Sequence, residues 1–330
     1  MRKIRIAQIG TSRYSHGNEI FGTLTKYPDV FEVVGYALPE EERVKFPGNM
    51  KRFEPYREMT VEEILNDPTI EAVTVETEEI YLTKYALMAA KSGKHVHMEK
   101  PGGLSLEAFT ELISLMRESG KVFHTGYMYR YNPTIKDAIS RARAGELGDI
   151  ISVEAQMSGW RGFDQTFWLK TFPGGMMFYL GCHLIDLVLQ LQGEPLKILP
   201  FNKSTGAQPT DAKDFSFAVF EYERGASFVK TTQAERGGFS RRQLVITGTK
   251  GKIEVRPLEI TIKYPLQYTE SCEFTSEDWN DVGEKKRSPD HDRYSDMMLS
   301  FASMVRGERE NPYTLDYELM LFKTILECCK

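Results

Sequence analysis

Lys94-His95-Val96-His97-Met98-Glu99-Lys100-Pro101-Gly102-Gly103 is the stretch on which the fold turns. It reads as a short buried strand that stops at a charged pair and a proline. Pro101 has no N–H for a ladder and holds Lys100 in an extended conformation. The two glycines then allow a tight turn before the next helix. A lysine is thereby placed at the carboxyl end of a strand, where open α/β sheets bind ligands. Its ammonium can donate to a substrate oxygen, or lose its proton if burial lowers its pKa. The plainer alternative is a surface ion pair of Glu99 and Lys100 beside a turn.

Upstream, Ile4 to Ile9 alternates poorly but is strongly apolar, as expected of a central parallel strand. Gly10-Thr11-Ser12-Arg13-Tyr14-Ser15-His16-Gly17 follows, then a helical stretch from Asn18 to Tyr27. Strand, small-residue loop and helix in this order form a cradle for phosphate, built from backbone N–H groups and a helix N-terminus. A GxGxxG pattern needs glycine at 12 and a small residue at 15; serine stands at both. Arg13 can supply a charge-assisted contact, or it is a solvated loop arginine. Phe31 to Leu38 is the next strand. The acid that normally closes such a strand and holds a ribose comes late, in Pro39-Glu40-Glu41-Glu42. Glu40 can reach a ribose, or the run is a solvated acidic loop.

Thr60-Val61-Glu62-Glu63 is a capping box before a short helix. Ala72 to Thr77 is a strand, Tyr81 to Ser92 a helix stopped by Gly93, and Ser105 caps a helix that ends at Gly120. Val122 to Thr125 completes an alternation that predicts a doubly wound parallel sheet. After Gly126 the pattern changes. Helices are expected over Pro133–Ala144, Gly181–Leu191, His291–Val305 and Tyr317–Cys329. Strands are expected over Ile150–Met157, Phe215–Tyr222, Ala226–Thr232, Gln243–Thr247, Ile253–Arg256 and Ile260–Tyr264. Successive strands without helices between them predict an antiparallel sheet, and Asp278–Asp290 reads as loop. The expected division is residues 1–125, a Rossmann-type dinucleotide domain, and 126–330, an α+β substrate and oligomerisation domain.

With 330 residues, 41% of them hydrophobic, the chain can build two cores, and its net charge of −5 argues against a nucleic-acid partner. No apolar run is long enough to span a bilayer, and Met-Arg-Lys leads straight into a strand, without the pattern of a signal peptide. Cys182, Cys272, Cys328 and Cys329 form no CxxC pair. The adjacent Cys328 and Cys329 read as free thiols, the usage fits a reducing cytoplasm, and no metal site is expected. His95 and His97 share a strand face without an evident third ligand, so buried hydrogen-bonded histidines are expected there.

Five blocks in order resemble the glucose–fructose oxidoreductase, inositol dehydrogenase and MocA (Gfo/Idh/MocA) family. They are Gly93-Lys94-His95-Val96 with Glu99-Lys100-Pro101; Gly126-Tyr127 with Arg130-Tyr131-Asn132-Pro133; Gly145-Glu146-Leu147-Gly148; Gly174-Gly175 with Gly181-Cys182-His183 and Asp186; and Gly248-Thr249-Lys250-Gly251. The resemblance covers nearly the whole chain. It implies NAD or NADP as cofactor and a sugar, polyol or related hydroxy compound as the small-molecule substrate. It also implies assembly into a homodimer or homotetramer through the open face of the second sheet. In its terms Gly10, Ser12, Arg13, Thr77, Glu99, Lys100 and Pro101 line the cofactor. Lys100 binds the reacting oxygen, and His183 acts as general acid or base, with Tyr179 as a further proton donor. Asp186 lies on the same helix face as His183, in a pairing or capping role.

The substrate side is expected to include Arg130, Tyr127 and Trp168, with Trp160 the tryptophan more expected in the core. The sequence departs from the family at four places. Tyr179 stands where an aspartate is common, the loop glycines are serines, the ribose acid is displaced, and Glu78-Glu79 replace Pro-Asn after Thr77. Two carboxylates pointing inward there would repel a pyrophosphate. Arg13 and Arg43 can each meet a 2′-phosphate. The alternatives to a redox enzyme are a non-catalytic binding or regulatory protein on the same scaffold, and an enzyme that uses NAD for a net non-redox reaction.

Overall fold

A computed structural model describes residues 2–14, 16–259, 267–273 and 282–330. In chain order the first elements are β1 (Ile4–Ile9), α1 (Gly17–Lys26), β2 (Phe31–Ala37), α2 (Glu42–Lys45), α3 (Val61–Asn66), β3 (Ala72–Val75), α4 (Leu82–Lys91), β4 (His95–Met98), α5 (Leu106–Ser119) and β5 (Phe123–Thr125). There follow α6 (Pro133–Arg143), β6 (Ile150–Ser158), α7 (Phe163–Trp168), α8 (Cys182–Gln192), β7 (Lys197–Lys203), β8 (Phe215–Glu221), β9 (Ala226–Thr232), β10 (Gln243–Gly248), β11 (Gly251–Arg256), β12 (Tyr268–Glu273), β13 (Val282–Arg287), α9 (Ser295–Val305) and α10 (Leu315–Cys328). The chain divides into two compact units. One is Met1–Met128 with Asp292–Phe322; the other is Tyr129–His291 with Lys323–Lys330.

The first unit is built on a five-stranded sheet in the order β2-β1-β3-β4-β5. Every pairing in it is parallel. Ile4, Ile6, Ala7 and Ile9 of β1 are fully buried, and so is Gln8, as befits a strand covered on both faces. The helix ends follow their local chemistry. Thr60 accepts from the Glu63 N–H at 3.0 Å while Glu63 accepts from the Thr60 N–H at 2.7 Å, so the capping box is formed. Ser105 caps α5, and Gly120 ends it at φ +64°. Connections leave β1 towards β2 on one side and β3 on the other, so the strand order reverses between β1 and β3. In such sheets that reversal opens the ligand crevice at the carboxyl ends.

The second unit carries an eight-stranded sheet, β13-β12-β11-β10-β6-β9-β8-β7. Only β6 and β9 run parallel; the other pairs are antiparallel. One face is apolar and buried, with Val153, Ala155, Ala218, Phe220, Val229, Leu244 and Ile246. Helix α8 packs on β6 and β9. On the alternate positions the rings of Phe201, Phe217 and Phe228 form a row, 6.2 Å and 5.4 Å between centroids, with Phe201 48% exposed.

Several expectations need correction. Asp278–Asp290 contains β13, which pairs with β12 throughout. Its Glu284, Lys285, Lys286 and Arg287 hide the strand from hydrophobic periodicity, yet charges suit an edge. Strands β7 and β12 were likewise not signalled. β7 is the other edge and tolerates Pro200 for that reason. The helix expected from His291 starts at Ser295, because Asp292 accepts the N–H groups of Tyr294 and Ser295 instead. The strand expected at Ile260–Tyr264 and the serine of the loop at position 15 lie outside the described residues.

Candidate active site

The loop after β1 is shaped from beneath by Gln8. Its amide is fully buried and donates to the carbonyls of Gly10 at 2.9 Å and Gly17 at 2.8 Å. With those carbonyls tied inward, the loop's N–H side is left to other partners. Gly10 has φ +91°, and a Cβ there would stand 2.5 Å from the backbone nitrogen of Thr77, so no larger residue fits. Ser12 takes the left-handed conformation, φ +56°, at a position where the pattern asks for glycine. Its hydroxyl is buried without a hydrogen-bond partner. Helix α1 begins after His16 with no side-chain cap. An orphaned hydroxyl and an uncapped helix N-terminus beside a glycine-tight turn fit a phosphate group.

Two acids hold this loop in place, and only one of them had a sequence signal. Arg13, 42% exposed in its side chain, approaches Glu78 to 3.5 Å. Glu78 is thus paired with a cation from the loop instead of pointing bare into it. Glu42 is fully buried and accepts from the N–H of Thr11 at 2.8 Å and of Glu78 at 3.2 Å. It therefore joins the loop after β1 to the loop after β3. Burial pushes its carboxyl up to about 7, against the pull of those N–H donors. Glu40, the acid considered for the ribose, instead accepts from Lys84 at 2.6 Å and the Tyr85 hydroxyl at 2.7 Å. Arg43 is engaged with Glu58 and the Tyr36 hydroxyl.

At the end of β4 the turn is as the sequence implies. Gly102 and Gly103 have φ +119° and +79°; a Cβ on the first would meet the Phe109 ring, and on the second the Thr83 hydroxyl. Lys100 is 2% exposed, and its Nζ lies 3.6 Å from Glu99 Oε1. It is not the surface ion pair of the plainer alternative. Glu76 and Glu79, at the end of β3 and in the turn after it, are fully buried. None of their four carboxyl oxygens has a hydrogen-bond partner, nor does Glu99 Oε1. Burial pushes Glu79 and Glu99 up to about 7 and Glu76 well above the usual carboxylate range, while the Lys100 ammonium pulls all three down.

Beneath them His97 Nδ1 lies 2.6 Å from His124 Nδ1, and His97 Nε2 lies 3.4 Å from Glu76. Phe301 of α9 stacks on His124. Burial pushes His97 down to about 4, so it is neutral. His95 accepts from the Val122 N–H at 3.0 Å. Both histidines are hydrogen-bonded as expected, and among the described residues no cluster of His, Cys, Asp or Glu could hold a metal. His124 was not foreseen. Its signal is register: Val96-His97-Met98 pairs with Phe123-His124-Thr125.

In the second unit, Gly174 and Gly175 turn the chain into a wide turn, Met177–Gly181, that leads directly into α8. His183 sits in the first turn of α8, 2% exposed, with the Tyr129 ring edge-on at 5.4 Å. Tyr179 packs edge-on against Trp168 at 4.9 Å and parallel to Phe172 at 6.3 Å. Asp186 takes the expected pairing role. Arg130 Nε reaches its two oxygens at 3.2 Å and 3.0 Å, Arg130 Nη2 donates at 2.8 Å, and Gln190 at 2.9 Å. The tryptophan expectation is reversed. Trp168 is buried, whereas Trp160 is partly exposed under the Arg236 guanidinium, 3.8 Å from its ring centroid, because it leaves β6 at the sheet's rim. Tyr127 is buried in the first unit.

Comparison with known proteins agrees with this architecture. Residues 4–127 match the family model described as oxidoreductase family, NAD-binding Rossmann fold, and residues 135–254 match the GFO/IDH/MocA C-terminal domain. A scyllo-inositol 2-dehydrogenase (NADP(+)) of Bacillus subtilis is 28% identical over 67% of this chain and 61% of its own length. A 2,7-anhydro-N-acetylneuraminate hydratase of Escherichia coli is 25% identical over 59% of this chain and 54% of its own length. The matches thus span under two thirds of either relative. The solved structure of a UDP-N-acetylglucosamine 3-dehydrogenase from Acidithiobacillus ferrooxidans superposes with a TM-score of 0.79 at 18% identity, over 99% of this chain and 97% of that one. Among the described residues no helix is long and apolar enough to cross a membrane.

Proposed function

Because this chain belongs to the Gfo/Idh/MocA oxidoreductase family, we propose that it transfers hydride between a nicotinamide dinucleotide and a carbinol carbon of a sugar, polyol or related hydroxy compound. The nicotinamide, NAD or NADP, supplies the hydride chemistry when bound. The protein supplies positions. Gly10, Ser12, Arg13 and the start of α1 hold the pyrophosphate, with Thr77, Glu99 and Pro101 beside them. Lys100 donates to the reacting oxygen and lowers the cost of the charge that develops there. His183 exchanges the proton, an imidazole task near neutral pH, and Tyr179, in the wide turn that leads into α8, is a second donor. Trp168 and Tyr127 offer faces for a sugar ring.

The observation that carries this reading is Lys100, an ammonium 2% exposed among three carboxyls at the end of a strand of the NAD-binding unit. Titration with NADH and NADPH, followed by nicotinamide fluorescence, tests the cofactor. Absence of binding at millimolar levels of both forms sinks the reading. With binding established, Lys100→Ala is expected to lower turnover at saturating dinucleotide by roughly 10³-fold. Unchanged turnover means the lysine has no chemical role. The likeness to a hydratase favours one second reading, in which the dinucleotide is oxidised and reduced within each cycle and the net reaction is not redox. Turnover of substrate without net change in nicotinamide absorbance distinguishes it.

Assembly is proposed through the face that carries Phe201, Phe217 and Phe228, which leaves apolar rings half-covered on an otherwise regular sheet. Sedimentation at the monomer mass overturns this. Four free, buried cysteines suit the reducing cytoplasm proposed as its location.

A further inference from the structure

Glu76, Glu79 and Glu99 are buried around one ammonium, Lys100, so a fully ionised group is net negative in a place that water does not reach. Their surroundings do not cancel that charge. Glu78 adds a further carboxylate and is paired with Arg13. His97 beside Glu76 is neutral, and Glu99 also faces the neutral phenol of Tyr294. Arg293 and His16 lie on the Lys100 and Tyr294 side, and burial with those cations keeps His16 neutral. Five carboxyl oxygens are left without hydrogen-bond donors. A group of this kind is stabilised by protons or by a cation brought in from outside.

The place of the acids in the sheet identifies the cation. In an open sheet of this order the ligand crevice lies between β1 and β3, where the strand order reverses. A dinucleotide with its phosphates on the start of α1 has its adenosine towards β2 and its other nucleoside towards the ends of β3 and β4. Those ends carry Glu76, Glu79, Glu99 and Lys100. Oxidised nicotinamide is a pyridinium with one positive charge; reduced nicotinamide is a neutral ring. We propose that the buried carboxyls, Glu79 foremost, select the oxidised cofactor over the reduced one through their field on that ring. Contact is not required, because a charge acts over several ångströms in a site that excludes water. The proposal rests on the dinucleotide site described above and adds to it which redox state is held more tightly.

The test compares dissociation constants of the oxidised and reduced forms, by calorimetry and by fluorescence, for whichever dinucleotide the protein binds. At pH 8 the ratio of affinities, oxidised over reduced, is expected to be at least about tenfold higher in the wild-type protein than in Glu79→Gln; repulsion of the pyrophosphate, which both forms carry, cancels in that ratio. Should Glu79→Gln fail to fold, the wild-type ratio measured from pH 5.5 to pH 8 serves instead. It is expected to shift towards the oxidised form as the acids ionise. Equal changes for both forms in the variant, or a ratio flat with pH, overturn the selection while leaving the dinucleotide site standing. Absence of binding of either form overturns the site itself and the selection with it.

Discussion

Two of the buried groups of ions, one taken from each unit, are built on opposite plans. In the second unit Arg130 and Asp186 face each other as a fork on a carboxylate, with Gln190 filling a remaining acceptor site. Both carboxylate oxygens are engaged by donors. In the first unit three carboxyls share Lys100, and five oxygens lack a donor. Desolvation of such groups costs several kcal/mol each, and only complete pairing offsets it. The saturated pair reads as framework that fixes the start of α6 against α8. The unsaturated group is a local conflict that folding alone does not explain, and such conflicts mark sites of function.

The largest effect should come from breaking the saturated pair. Asp186→Ala leaves the Arg130 guanidinium buried without its carboxylate, and a loss of about 3–5 kcal/mol is expected in denaturant unfolding. A loss under about 1 kcal/mol would show that the pair is not the strut inferred here. Relieving the unsaturated group should act in the other direction and less strongly. Glu79 is raised from 4.5 to about 7 in the folded protein. The folded state then binds more protons than the unfolded chain across that window, so its contribution is complete below about pH 4.5 and is lost as pH rises through about 7. Glu79→Gln is therefore expected to stabilise the protein by on the order of 1–3 kcal/mol at pH 8 and to change little at pH 4.5. His97 and His95, both pushed down to about 4, lose stability as pH falls below 6.5, but they do so equally in both proteins and drop out of the difference. Destabilisation by Glu79→Gln at pH 8 would mean that the acid is satisfied after all, and the contrast between the two groups would collapse.

What the sequence revealed divides along the same line. Local chemistry was legible: the Thr60 capping box, the Ser105 cap, the Gly120 stop and the turn after Lys100 all stand where the residues put them. The Arg130–Asp186 pair was half legible, since Asp186 was expected to pair while Arg130 was considered for substrate. Glu42 was not legible as a clamp. It is the third acid of a run that reads as a solvated loop, and its partners Thr11 and Glu78 lie 31 and 36 residues away. Gln8 and His124 were hidden for another reason. In strands buried on both faces, alternation does not tell an inward polar group from a misplaced one. The edge strands β7 and β13 failed through proline and charge, the very features that protect an edge.

Gly10 backs directly onto the main chain of Thr77, so the base of the crevice is peptide against peptide. Platforms of that kind are indifferent to the side chains mounted beside them. A protein-engineering library that randomises positions 76, 79 and 99 while retaining glycine at 10 would vary the electrical character of the pocket on an unaltered footing.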